Sequence, residues 1–515
     1  MSQFPRPILT IALGMILLTP SLWVLAEVPP LWRDLDAYTQ VTVSPAKATY
    51  AGHGLLYCII ARDGPLYLGC KLDAAQHQRL ATSDLCLTDS GVFLLLLLQH
   101  LGLAGAAFFL IVTSTRSPWA RLILGAACAS VAVFYIVANC IGSETLSLIC
   151  VLLLVASGLR VIRNAGRNRV IEWLVFSFLL LLCLLTRYVN FWLVLVLPLS
   201  FLATSLQIRF QKLTGDTTTS LQRSLVSKNL RQMGLALLAG ITALLAASLS
   251  DHAVCRSARL SYHLRIGHTF LWRLSFWKDL SQKERDDLLE RVAERSESTE
   301  VHKLLHLVGA TLKEGNVLTT RVFLNEAQAL LFRSETKHQR DKLDLALNEM
   351  MFALLFPPPP EYLRAVGKDF ARARQITLGS VVDFFFATTT YYFSHSDTMP
   401  ECASLSTFRD FDARTISAIP SRHAYLHLGG GLTYNICFFV WVAAIVLLAR
   451  LNRGRPDGAA VVSYAISLIS IGLLMMISSC LIDELLPRYV LPLWQMLIAS
   501  GCIVIGTMLD HAFGS

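Results

Sequence analysis

The stretch LWRDLDAYTQV, residues 31–41, sets two carboxylates, Asp34 and Asp36, directly behind a long apolar run. A carboxylate held at a membrane surface can act as a general base on an acceptor hydroxyl. Tyr38 follows Asp34 by four residues, so the two share a face if the stretch is helical. Asp36 would then point about 200° away from Asp34 and reads as a solvated or capping acid. Arg187 and Arg488 stand in short turns between apolar runs. The forked donors of Arg suit phosphate, and an Arg placed against the orientation bias of a membrane chain is a hint of use. His53, Tyr57, Glu144 and Tyr489 complete the set of candidate binding residues.

The elements that must position these residues are membrane spans. The chain has 515 residues, of which 54% are hydrophobic and 16% charged, whereas soluble domains carry roughly 25% charged residues. About 20 apolar residues cross a bilayer as a helix. Runs near 8–26, 92–113, 119–138, 145–162, 170–186, 190–207, 233–250, 433–449, 459–481 and 490–509 predict about ten transmembrane helices in an all-α polytopic membrane protein. The first run also resembles a signal peptide ending at Val24-Leu25-Ala26, but its length favours an uncleaved anchor.

Lys and Arg orient the spans. Arg116, Arg121, Arg160, Arg163, Arg209, Lys212, Arg450 and Arg453 fall in one set of connections, and the opposite short turns hold only Arg187 and Arg488. Both termini are therefore expected in the cytoplasm, with 27–91 and 251–432 outside. The net charge of +9 fits a basic face against anionic lipid and requires no nucleic acid.

Three parts follow: a membrane block to about residue 250 with an external loop over 27–91, an external or interfacial, mostly helical region over 251–432, and a three-helix membrane block over 433–515. Ser281-Gln282-Lys283-Glu284 has the form of a capping box, and a helical stretch near 320–355 stops at Pro357–Pro360. The segments 376–393 and 263–277 read as helices lying against the membrane block. Bridges Cys70–Cys86 and Cys255–Cys402 are open options beside free thiols. No nucleotide-binding loop, zinc-protease motif or dinucleotide fingerprint is present in the sequence.

Several pieces together resemble the membrane-embedded glycosyltransferases of the GT-C type, among them the dolichyl-phosphate-mannose protein mannosyltransferases and the aminoarabinose transferases. Their first external loop carries Asp-Glu-x-x-Tyr; here Asp34 and Tyr38 hold the Asp and Tyr, and Leu35 replaces the Glu. Ala51–Tyr57 is similar to a His- and Tyr-bearing loop motif without its prolines, and Glu144 stands at an acidic position before the fourth span. Leu185-Thr186-Arg187 resembles a Leu-Thr-Lys/Arg turn, and Arg488-Tyr489 an Arg-Tyr-x-x-Pro motif before a late span. The match covers residues 1–207 and the last two spans, and 251–432 matches no domain of that family.

The resemblance implies transfer of a sugar from a polyprenyl-phosphate donor to a protein or glycan acceptor on the outer face, in a bacterial inner membrane the periplasmic face. It makes Asp34 the base, with Arg488 and Arg187 at the donor phosphate; a divalent metal is left open. Other readings stand beside it. The chain could be a transporter or flippase, or a non-catalytic scaffold. Asp34 and Asp36 could cap a helix, Arg187 and Arg488 could snorkel or pair with Glu144, Asp483 or Glu484, and Tyr57 and Tyr489 could be interfacial belt residues.

Overall fold

A computed structural model describes residues 6–32, 41–50, 52–75, 87–164, 170–213, 219–260, 262, 280–313, 326–327, 329, 338–394, 405, 413–428, 430–451, 456–482 and 486–513. The first membrane block comprises α1 (Arg6–Glu27), β1 (Leu31–Trp32), α2 (Pro45–Tyr50), α3 (Leu55–Ala61), α4 (Tyr67–Leu72), α5 (Asp89–Ser114), α6 (Pro118–Ala129), α7 (Ala132–Ala138), β2 (Cys140–Ile141), α8 (Ser143–Arg163), α9 (Val170–Thr186), α10 (Val196–Leu213) and α11 (Thr219–Ser257). The middle region holds α12 (Gln282–Arg295), α13 (Thr299–Lys313), α14 (His338–Leu355), α15 (Pro360–Ala373), α16 (Leu378–Ser394) and α17 (Ala413–Arg422). The chain closes with α18 (Tyr434–Leu451), α19 (Pro456–Ile482) and α20 (Leu491–Ala512).

The protein is an all-α polytopic membrane protein. Eight of the described helices are long and apolar enough to cross a bilayer, the form in which a backbone satisfies its own polar groups in lipid. The two remaining expected spans are special. Residues 119–138 form α6 and α7, bent by 65° at a break, and 170–186 form the 17-residue α9. Contacts nonetheless carry α9 from one end of the bundle to the other: Asn164 donates to Glu172 at its start, and Arg187, just beyond its last residue, meets Glu144 at the start of α8.

One end of the bundle is tied by Asp510 near the end of α20. Its carboxylate accepts from the Thr115 hydroxyl and from the backbone N–H groups of Arg116 and Ser117, both at 3.0 Å. Arg163 donates to the last carbonyls of α5, Thr113 and Ser114. Ser117 then caps α6, with Pro118 at its first position. One face of α1 packs on the bundle: Leu13 and Leu17 are buried, and Leu13 fills the space a side chain on Gly125 would take.

The break between α6 and α7 is held from far along the chain. Tyr425 donates its hydroxyl to the carbonyl of Ala129 at 2.8 Å, and Trp23 meets both His423 and Tyr425 edge-on at 5.2 Å. The carbonyls that a broken helix frees need such partners.

The middle region divides its packing. Helices α12–α15 share a core of Leu288, Val292, Leu304, Leu347, Met350 and Tyr362. The Tyr362 hydroxyl donates to the carbonyl of Leu481, so this core sits on the end of α19. Pro360 opens α15 at its first turn, where its missing N–H costs nothing. Helix α16 packs instead on the bundle: Val381, Val382, Phe385 and Phe386 are buried, and the backbone N–H of Trp32 donates to Thr389 at 3.0 Å. It runs past β1, α7 and the turn at Pro487–Val490. Residues 263–277, Cys86 and Cys402 lie outside the described residues.

The expected capping box is present at α12, where Ser281 and Glu284 exchange bonds between side chain and backbone. The Ser281 hydroxyl and backbone N–H, in that order, hold the Glu284 carboxyl below the usual carboxylate range. Because that pKa is depressed on folding, the bond contributes above the ordinary Glu range near pH 4 and is lost as the pH falls through the depressed value. Replacing Ser281 with Ala should cost α12 about 1 kcal/mol. Hydrogen exchange of residues 282–295 should accelerate in that variant at neutral pH, and the gap to the parent protein should narrow in acid, where only the bond from the Glu284 N–H to the Ser281 hydroxyl remains.

Candidate functional site

The site forms where the segment after α1 approaches the start of α8, near the start of α20. After α1, Asn139 takes hold of the chain: its side-chain amide donates to the carbonyls of Val28 and Pro29 at 3.0 and 2.8 Å. Leu31 and Trp32 then pair in parallel with Cys140 and Ile141. This short ladder fixes Trp32 beside the residues that lead into α8. Asp34, Asp36 and Tyr38 lie outside the described residues. Their flanks are nonetheless defined, because Val41 is buried in one apolar cluster with Trp32, Tyr57 and Ile141.

Tyr57 is 1% exposed. Its hydroxyl accepts from the backbone N–H of Gly142 at 2.9 Å and donates to Gln99 at 3.3 Å. The Gln99 amide in turn donates to the carbonyls of Ala138 and Cys140. Tyr57 therefore acts as a strut that sets the start of α8. His53 is half-buried, and its neighbour Gly54 presses on the turn before Arg187, since a Cβ there would fall 1.9 Å from the carbonyl oxygen of Thr186. Only Gly permits that approach.

Glu144 and Arg187 meet. Arg187 Nη1 lies 2.9 Å from Glu144 Oε1, with side-chain exposures of 21% and 4%. Arg187 is extended and opens a 3-10 turn over Tyr188–Leu195. Asn190 pins that turn by donating to Ser147 on α8 and to the carbonyl of Cys183 on α9. Tyr188 accepts from Tyr262 at 3.3 Å, and burial pushes the Tyr262 phenol up to about 12, so it remains a protonated donor.

Arg488 sits in the 3-10 turn Pro487–Val490 before α20. Its guanidinium lies 5.9 Å from the Phe384 ring of α16 and 5.1 Å from the Tyr489 ring, and Nη2 donates to the Tyr489 hydroxyl at 3.3 Å. Cation–ring contacts of this kind hold the guanidinium against α16.

Between these elements lies a narrow cleft. Glu144, Ser147 and Arg187 line it from α8 and the 188–195 turn, and Leu491, Pro492 and Gln495 line it from α20. Phe134, Val137 and Leu148 supply apolar wall. The structure therefore brings Arg187 and Glu144 to the start of α20, three residues beyond Arg488. Arg488 itself turns to Phe384, and Tyr57 stays in the core. Among the described residues no group of three or more His, Cys, Asp or Glu is arranged to hold a metal ion.

Gln495, Asn190, Gln99 and Asn139 emerge from the structure and not from the sequence reading. Each is a neutral amide within or beside an apolar run, where an unsatisfied polar group is expensive and must find a partner. That cost is the signal that marks them.

No family model matches the chain, and no curated protein matches it.

Proposed function

We propose that the protein is a GT-C-like membrane glycosyltransferase that moves a sugar from a polyprenyl-phosphate donor to a protein or glycan acceptor at the outer face. The observation that carries this reading is the Glu144–Arg187 pair lining a cleft walled by Phe134 and Leu148 at the end of the bundle where the Asp34 loop is anchored. A charged pair beside apolar wall suits a lipid phosphate. The same end faces the outside by the Lys/Arg rule, which in a bacterium is the periplasmic side of the inner membrane.

In this reading Asp34 takes the proton of the acceptor hydroxyl as its oxygen attacks the anomeric carbon. The bond from that carbon to the phosphate oxygen breaks, and the electron pair leaves with the polyprenyl phosphate. Arg187 and Arg488 stabilise the charge that develops there. Glu144 orients Arg187, and Tyr57 fixes the helix start that carries Glu144. Tyr489 accepts from Arg488, and His53 precedes Gly54, which presses on the turn before Arg187.

The test is reconstitution of the purified protein in liposomes with polyprenyl-phosphate hexose, pentose and aminosugar donors. Loss of one donor with release of polyprenyl phosphate is the expected result, and Arg488→Ala should raise KM for that donor about tenfold or more, the scale of a lost hydrogen bond to a charged group. Intact donors throughout would contradict the reading.

A further inference from the structure

Helix α11 has 39 residues, about 60 Å at 1.5 Å per residue, against roughly 30 Å of hydrocarbon in a bilayer. Its apolar run ends at Ser250, and Asp251, His252 and Arg256 follow. The last turns of α11 therefore stand beyond the hydrocarbon, on the side of the Arg187 turn. Asp251 is 4% exposed there. Its carboxylate is bonded to the phenols of Tyr262 and Tyr188, and Tyr262 also donates to Tyr188. One oxygen, Oδ1, is buried with no hydrogen-bond partner among the described residues. An ionised carboxylate accepts on both oxygens, and leaving one bare in a buried site is costly. A protonated carboxyl carries no charge to solvate.

The groups around Asp251 supply no matched cation. The 188–195 turn brings Tyr188, whose neighbour Arg187 is paired with Glu144. His252 turns its Nδ1 to the carbonyl of Ser248, and its ring lies 4.6 Å from that of Tyr262. Cys255 donates to the carbonyl of Ala46 on α2. Of the other helices packed on α11, α2 carries Lys47, which is exposed, and Tyr50. The charged residues of α9 and α10, Glu172, Arg209 and Lys212, stand at the opposite ends of those helices. Burial therefore pushes the Asp251 carboxyl up to about 6, against the Tyr262 bond, His252 and the Tyr188 bond, which pull it down. The ordinary Asp value is about 4. Because the value is raised on folding, the buried arrangement is fully favoured below the ordinary range and loses stability as the pH rises through about 6.

We propose that Asp251, Tyr188 and Tyr262 form a proton-operated latch on the outer face. With Asp251 protonated, the three side chains hold the Arg187 turn to α11; with Asp251 ionised, the turn loosens. Mild acid outside therefore tightens the turn that carries Arg187. The latch stands on its own geometry, whether or not the protein transfers a sugar.

Hydrogen exchange of residues 186–195 in the purified full-length protein tests this, expressed as protection relative to the unfolded rate at each pH. Between about pH 5 and about pH 8 protection should fall about tenfold, the ratio for a carboxyl that titrates near 4 with the turn open and near 6 with it closed. Asp251→Asn, a neutral group of the same shape, should keep the acid protection of the parent at both pH values. Tyr188→Phe keeps the ring and removes the phenol, and in acid should fall to the parent's protection in neutral solution. His252→Gln should keep the parent's pH dependence. Infrared difference spectra of parent minus Asp251→Asn should show a protonated carboxyl band in acid that vanishes at the higher pH.

Equal protection of the parent at the two pH values overturns the proposal. So does an Asp251→Asn protein that keeps the parent's pH dependence, or a His252→Gln protein that loses it, which assigns the titration to His252. If Asp251→Asn does not fold, Tyr188→Phe decides: acid protection equal to the parent's overturns the latch, and its loss supports it.

Discussion

Arg187→Ala should destabilise the folded protein by about 3–5 kcal/mol, the scale of breaking a buried ion pair from one side. The reason is asymmetry. The Glu144 carboxylate is 4% exposed and cannot recover water when its cation is removed, whereas the Arg187 side chain is 21% exposed and can. Glu144→Gln should therefore cost less than Arg187→Ala. The double variant Glu144→Met with Arg187→Met should recover much of the loss, since apolar replacement of a buried pair is often neutral. Thermal unfolding of the four proteins in one detergent checks the order. Equal losses in both single variants, or no recovery in the double, would mean that the pair does not hold the 186–190 turn to α8.

Asp34→Asn should lower the rate of sugar transfer by roughly a hundredfold to ten-thousandfold, the usual contribution of a positioned general base. Asn keeps the size and hydrogen-bonding shape of the side chain but cannot take the acceptor proton. The flanks of the loop, Trp32 and Val41, are buried in one apolar cluster, so the variant should fold and insert as the parent does. Asp36→Asn should keep most of the rate, because two residues along a helix face nearly opposite ways. Initial rates at saturating donor separate the two outcomes. A slow Asp36→Asn beside a fast Asp34→Asn would transfer the base to Asp36.

The membrane fold was readable because lipid leaves a backbone few choices. Apolar runs of sufficient length must be helices, and the helices of the bundle fall on the runs picked out from composition. The bend between α6 and α7 was not readable. No Pro or Gly stands near Ser130, and the break is held by Tyr425, almost 300 residues downstream. Likewise 376–393 reads as an apolar helix, but only the structure shows Thr389 meeting Trp32 and Phe384 meeting Arg488.

The site was half legible. Charges in short turns stand out against apolar sequence, and pairing of Arg187 with Glu144 was among the readings open from the start. Tyr57 looked like a substrate contact because a Tyr beside a loop motif does. Its partners, Gln99 and Gly142, come from other elements and make it a strut. Gln495 was hidden because a single Gln in a span looks like tolerated polarity until its burial and its lack of a partner are known.

The most direct measurement is the release of polyprenyl phosphate from a polyprenyl-phosphate sugar by liposomes carrying equal amounts of folded parent protein, Asp34→Asn or Asp36→Asn. Transfer to an outer-face acceptor by the parent and by Asp36→Asn, with Asp34→Asn reduced a hundredfold or more, is the result expected of a glycosyltransferase with Asp34 as its base. Release at the parent rate by Asp34→Asn, or no release by any of the three, would contradict it.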